Sequence, residues 1–370
     1  MKFIATRAAL LAAVEIADRI VPSKTPMDAM YCVKFIAKDG RVVVAARDSD
    51  AGVVAPVFDA DPLNSGVALA KCDLILRSLK ESGDNKYTVS CVDGRLWFRG
   101  EGSKFSVGAI DPDLLKLADP EGKNTSRWSI RGSDLKRGIG VAIPMVNTSD
   151  SNMAMTGVRF QLGGSGSGSI IGFSRKWGGV CDVTINPVDS PHPCGITISI
   201  RAASLIKSAC VDDEIVGLVD DGVHLRFTME KCEVWATPFG GAFPNLTGVL
   251  KEARANPFIL KVKPDLLRQA VRQAVVFDSK ESLGVDLKVG KSGIELSRQC
   301  EAGDTSISVP LTEYSGEPVS LKLDPAPLLS ALGSVRGDMF LMRINDTGDP
   351  LYYSDDDCMT FIHAQISAKG

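Results

Sequence analysis

At 370 residues and 44% apolar, the chain exceeds what one core usually fills and reads as several ordinary globular domains. A formal net charge of −3 excludes a uniformly basic nucleic-acid binder, though not a basic lining on an acidic exterior. No run approaches the roughly 18 to 20 apolar residues of a membrane helix, and the nine cysteines hold no C-x-x-C pair, which argues for reduced thiols over a zinc ribbon or a disulfide framework.

The opening stretch KFIATRAALLAAVEIADRIV, residues 2–21, is a short strand-type run, a break and an amphipathic helix. Arg7, Glu15, Asp18 and Arg19 deny it the uncharged centre of an export signal, so a cytoplasmic protein is expected. Thr6 is placed to cap the helix, and Leu10, Val14, Ala17 and Val21 share one face. Leu10-Leu11 is echoed by Leu74-Ile75, Leu135-Lys136, Leu205-Ile206, Leu266-Leu267 and Leu328-Leu329, at intervals between 61 and 70 residues. Each echo follows an alternating apolar run and opens three to four helical turns, so the chain divides into six half-units of roughly 60 residues. The fold class this implies is α+β: three similar domains, 1–122, 127–253 and 256–370, each two repeats of a helix packed on antiparallel strands.

In the first domain, strands 31–36 and 42–46 meet at Asp39-Gly40, and strands 87–92 and 96–99 meet at Asp93-Gly94, both strong hairpin signals; residues 120–126 read as a linker. In the second, Gly163 to Ser169 (GGSGSGS) reads as a flexible hairpin loop, followed by a helix over 202–210 and a turn at Asp221-Gly222. In the third, Lys263-Pro264 and Asp324-Pro325 put proline at helix openings, where its missing N–H costs nothing, and strands are expected near 340–344 and 360–366.

Catalytic chemistry finds little support. The three histidines (His192, His224, His363) are scattered, and there is no phosphate-binding G-x-x-x-x-G-K-[ST] and no G-x-G-x-x-G after a strand. His192-Pro193-Cys194 and Asp48-Ser49-Asp50 read as turns, and Asp355-Asp356-Asp357 as a solvated turn. No metal, cofactor or enzymatic activity is expected.

The opening stretch, Ser103-Lys104-Phe105-Ser106-Val107, Met155-Thr156-Gly157-Val158 and Gly241-Ala242-Phe243-Pro244-Asn245, in this order and spacing, resemble the bacterial DNA polymerase III beta subunit, the sliding clamp. The resemblance covers the whole chain and implies a head-to-tail homodimer, a six-domain ring with its helices around duplex DNA. Such a ring tethers DNA polymerase and repair factors through short linear peptides and is placed by a clamp loader. The charges agree: the six helical segments together carry +6, leaving −9 for the rest. The cations expected at DNA are Lys71, Arg77, Lys80, Lys136, Arg137, Arg201, Lys207, Arg268 and Arg272, with Lys24 at a position where the family has an arginine. At the dimer interface the resemblance puts Phe105 and Val107 on an edge strand, opposite Val276 and Phe277.

It also implies a partner-peptide cleft drawn from four places: Phe173, Lys176, Trp177 and Gly178; Pro244, Gly248 and Val249; Ser282, Asp324 and Pro327; and Ile362, His363, Ala364 and Gln365. The family's Thr-Asp-Gly-His-Arg-Leu is here Phe-Ser-Arg-Lys-Trp-Gly, and its C-terminal Met-Pro-Met-Arg is Ile-His-Ala-Gln, so a less adaptable pocket is expected. Two rivals remain: a clamp-like scaffold that no longer encircles DNA, and a hydrolase or metal-dependent enzyme on a β-rich repeat fold.

Overall fold

The computed structural model describes residues 1–118, 125–188, 191–276, 284–300, 303–355 and 357–366. Six times among them a strand leads into a helix: Lys2–Thr6 into α1 (Arg7–Asp18), Gly66–Lys71 into α2 (Cys72–Glu81), Ser126–Arg131 into α3 (Gly132–Ala142) and Cys194–Ser199 into α4 (Ile200–Ala209). After α5 (Thr247–Arg254), a helix with no such strand, Phe258–Val262 leads into α6 (Pro264–Ala274) and Val319–Leu323 into α7 (Pro325–Ser334).

Local chemistry fixes these junctions. Thr6 Oγ1 accepts the Ala9 N–H at 3.2 Å, Ser199 Oγ the Ala202 N–H at 3.2 Å, and Asp324 Oδ1 the Ala326 N–H at 2.9 Å, while Pro264 and Pro325 open their helices. The register repeats as well. Phe3 faces Val89, Trp128 faces Leu218 and Leu260 faces Met342 across antiparallel pairs, and all six side chains are buried. At the hairpin turns Asp39 and Gly40 take φ of 51° and 73°, and Asp93 and Gly94 take 49° and 69°, positive values that Asp-Gly tolerates.

The chain packs as two compact units: unit 1 holds 1–136, 185–192 and 198–238, and unit 2 holds 137–184, 193–197 and 239–370. Residues 127–253 are thus shared between them. Unit 1 includes a buried aromatic group of Phe3, Phe35, Tyr87 and Phe98, and unit 2 includes the Phe340–Tyr353 pair at 5.5 Å.

Three local expectations need correction. The Gly-Ser segment is not all loop, because Ser167–Phe173 is a strand whose Gly168 and Ser169 pair with Leu162 and Gln161. Asp355 is not solvated: it is 4% exposed and caps its own loop. Ile20 rather than Val21 completes the buried face of α1. The helix α5 was not anticipated. The linker at 120–126 falls mostly outside the described residues.

Candidate interaction surfaces

In unit 1, α1 packs beside α2, and a hydrogen bond ties the end of α1 to α4. Lys80 Nζ on α2 is 3.2 Å from Glu15 Oε1 on α1, and Arg19 Nη1, following α1, donates to Ser208 Oγ on α4 over 2.6 Å. Lys24, Lys71 and Lys207 are exposed and have no ion pair among the described residues. Arg77 pairs with Asp73 at 2.9 Å, Lys136 with Asp212 at 2.6 Å and Arg201 with Asp48 at 3.6 Å. Burial raises the Asp48 carboxyl above the usual range, a rise that two backbone N–H donors and Arg201 oppose. In unit 2, Arg268 pairs with Asp265 at 2.6 Å, and Arg272 is exposed without an ion pair among the described residues. Arg201–Asp48 apart, whose carboxylate is buried, such exposed pairs contribute about 0.2–1 kcal/mol each, so these side chains exchange partners cheaply.

Arg137 differs. Its side chain is 11% exposed; Nη2 meets Asp355 Oδ2 at 2.7 Å and Nη1 meets Asp357 Oδ2 at 2.6 Å. Asp355 has a fully buried side chain, and its Oδ1 accepts the N–H groups of Asp357, Cys358 and Met359 at 3.2, 3.2 and 2.9 Å.

Among the described residues, the strands Lys104–Ile110 and Gly303–Val309 both present a sheet edge. The strand Lys104–Ile110 pairs with Arg95–Arg99 along one side, but on the other, among the described residues, only Ala109 and Ile110 pair, with Ala70 and Leu69. Beside this edge Arg95, Arg99 and Lys104 surround the Trp97 ring at 5.9, 5.1 and 4.5 Å. In unit 2, Gly303–Val309 is the edge of a four-stranded sheet and carries exposed Asp304, with Glu295 exposed on the adjoining strand. Val276, just past α6, is 69% exposed.

All the described residues expected at the cleft lie in unit 2. The pairing of Trp177–Val188 with Met359–His363 sets Trp177 opposite His363 and Gly178 opposite Ile362, joining the first and fourth places. Ile362 is buried with Ala253 and Tyr352, and Phe173, Val249 and Leu250 pack against them, which brings in the second. The third enters through Asp324, whose charge acts on His363. A Cβ at position 178 would stand 2.6 Å from the Phe173 ring, so the phenylalanine lies in space that only glycine leaves open. His363 is 1% exposed, its Nδ1 lies 3.1 Å from Tyr353 Oη, and burial pushes its pKa down to about 4. Gln365 Nε2 donates to Asn345 Oδ1 at 2.9 Å, and the Ala364 N–H donates to the Lys176 carbonyl at 2.7 Å, leaving the Lys176 side chain exposed.

No family model matches the chain. It is 21% identical over 361 residues to the beta sliding clamp of Chlamydia pneumoniae, covering 96% of each, and 20% identical over 367 residues to that of Chlamydia muridarum, covering 98% of each. It superposes on the DNA polymerase sliding clamp of Bacillus subtilis with a TM-score of 0.92 at 16% identity, over 100% of this chain and 99% of that one. On the C. crescentus beta sliding clamp the TM-score is 0.88 at 20% identity, over all of both chains. The fold is that of a beta sliding clamp.

Within this clamp fold several expected residues take other work. Arg137 is turned inward onto two carboxylates and leaves the set of exposed cations. Val107 is 5% exposed and belongs to its own core, and Phe105 stacks on Phe98 at 4.6 Å, so that face of the edge strand points inward. Asp324 is the cap of α7 and Pro327 is buried within it, whereas Gly248 is exposed on α5. Phe277 and Ser282 lie outside the described residues. Sequence reasoning missed Arg159 and the groove that it shares with Pro244; an arginine between Val158 and Phe160 was the available signal.

Proposed function

We propose that the protein is a DNA sliding clamp: three domains per protomer, at 1–122, 127–253 and 256–370, closed head to tail by a second copy into a ring around duplex DNA. The observation that supports it best is the match to beta sliding clamps, in sequence over 96–98% of the chain and in fold at TM-scores of 0.88 to 0.92. It does no chemistry itself. Long basic side chains on the helix faces meet phosphates weakly and without regard to base sequence, which lets the ring slide while it stays topologically linked.

Closure joins the open edge at 104–108 to the open edge at Gly303–Val309 of the other copy by β-augmentation, and Arg95, Arg99 and Lys104 then face Asp304 and Glu295. The unit 2 cleft takes short peptides of DNA polymerase and repair factors. With Phe173 lying over Gly178, a consensus clamp-binding peptide binds at least roughly tenfold more weakly than to an orthodox clamp, about 1.4 kcal/mol. Sedimentation equilibrium tests the assembly. The expected mass is twice the 39.4 kDa of one chain, and a monomer at micromolar concentration overturns the ring.

A further inference from the structure

Two cysteines 177 positions apart, Cys181 and Cys358, bring their Sγ atoms within 3.7 Å of each other in unit 2. The backbone around them is held. Cys181 lies opposite Met359 in the antiparallel pair of Trp177–Val188 with Met359–His363, and the Asp182 N–H donates to the Cys358 carbonyl at 2.9 Å. The Cys358 N–H in turn donates to Asp355 Oδ1 at 3.2 Å. Strand alternation would turn the residue before Met359 to the opposite face, but the strand begins only at Met359, which lets the Cys358 side chain meet Cys181.

A disulfide holds its sulfurs about 2.0 Å apart, so the thiols are close to bonding distance without being bonded. They are also unequal. Cys181 is buried, whereas Cys358 is half-buried on the wall of a cavity of about 660 Å3 that Gln161, Asp182, Thr184 and Pro193 also line. Burial raises both thiols above the ordinary range; Arg137 and the contact with Cys181 oppose the rise at Cys358, whereas the neighbouring Cys358 adds to it at Cys181. Cys358 is therefore the thiol that a small oxidant reaches and the one that ionises first, with Cys181 placed to resolve the product.

We infer that Cys181 and Cys358 form a redox-sensitive dithiol, which hydrogen peroxide closes to a disulfide and a small dithiol reopens by exchange. The Cys358 thiolate attacks one peroxide oxygen, the O–O bond breaks and hydroxide leaves, giving a sulfenic acid. The Cys181 sulfur, giving up its proton, then displaces hydroxide from that sulfenic acid and forms the S–S bond. In sum the two thiols lose two electrons and two protons, and one peroxide becomes two waters. The bond pins the strand that carries Trp177 to the strand that carries Ile362 and His363, so oxidation stiffens unit 2 along that strand pair.

Treating the full chain with one equivalent of hydrogen peroxide, blocking the remaining thiols with N-ethylmaleimide and mapping peptides by mass spectrometry tests it. A linked pair of peptides carrying Cys181 and Cys358 is expected, with the nine thiols falling to seven and returning on dithiothreitol. Cys91, half-buried in unit 1, is the internal reference and should stay reduced at this dose. Cys181→Ser should leave Cys358 as a sulfenic acid that dimedone traps, and Cys358→Ser should leave Cys181 reduced; circular dichroism checks the fold of each, and Cys181→Ala replaces a serine variant that fails to fold. The linked chain should melt at a higher temperature than the reduced one, a shift that Cys358→Ser should lack. A link to another cysteine or between two copies, Cys358 carried to sulfinic acid beside a reduced Cys181, or Cys91 modified ahead of the pair overturns the inference. So does a chain that keeps all its thiols under a large excess of peroxide, and equal melting of linked and reduced chains overturns the pinning.

Discussion

Replacing Arg137 by methionine separates two roles that the sequence cannot tell apart. On a helix lining a DNA-filled ring, Arg137 is a phosphate contact and its loss leaves folding untouched. In the structure it neutralises Asp355, whose side chain is fully buried, and also binds Asp357. Removing one partner of a buried pair strands the other charge, at about 3–5 kcal/mol. Asp355 keeps three backbone N–H donors, so a cost near the lower end, about 3 kcal/mol, is expected. Urea unfolding followed by tryptophan fluorescence should show the transition that reports on Trp177 moving to lower urea. Adding Asp355→Asn removes the stranded charge and should recover at least about 1 kcal/mol. An unchanged midpoint, together with a log-log salt slope of DNA retention that falls by about 0.9, would refute the reasoning and return Arg137 to the DNA.

Three further outcomes follow from named groups. His363 stays neutral in the folded chain down to about pH 4, whereas the unfolded chain takes up its proton near 6.5; stability is therefore full above 6.5 and falls as pH drops from 6.5 to 4, by up to about 3 kcal/mol. Thermal unfolding of His363→Phe should lack that decline, and parallel pH profiles would contradict it. Reversing Lys24, Lys207 and Arg272 to Glu should weaken DNA retention equally on all sequences and flatten its salt dependence by about 0.9 for each phosphate no longer neutralised, with melting unchanged; unaltered retention at low salt moves them off the DNA. Val276→Arg, at a position 69% exposed in the single chain, should leave melting intact and convert dimer to monomer in sedimentation, and a dimer that persists places the interface elsewhere.

The repeat was legible because its signals are local. Thr6, Lys263-Pro264 and Asp324-Pro325 mark helix starts within a few residues, and Asp39-Gly40 and Asp93-Gly94 determine their turns through backbone preference alone. What failed is long-range. Arg137 and Asp355 lie 218 residues apart, so nothing near Arg137 announces that its charge is already used. Alternation correctly placed Phe105 and Val107 on one face but cannot say whether that face meets a partner or its own core. Helix α5 escaped because it is eight residues long and, of them, buries only Ala253. The cleft was legible as four separated places, whereas the fit of the Phe173 ring over Gly178 appears only once the strand pairing brings them together.

The central claim is topological, and one measurement tests it directly. The chain is loaded onto a nicked plasmid circle with a clamp loader and ATP and freed of unbound protein by gel filtration at high salt; the circle is then cut once with a restriction enzyme. Protein that stays with the circle for many minutes and leaves within seconds to minutes of the cut is encircling DNA, which is the result expected. Retention that survives the cut, or that high salt abolishes on the intact circle, would mean that the chain binds DNA only by its surface or serves as a scaffold, and the account of a closed ring would be wrong.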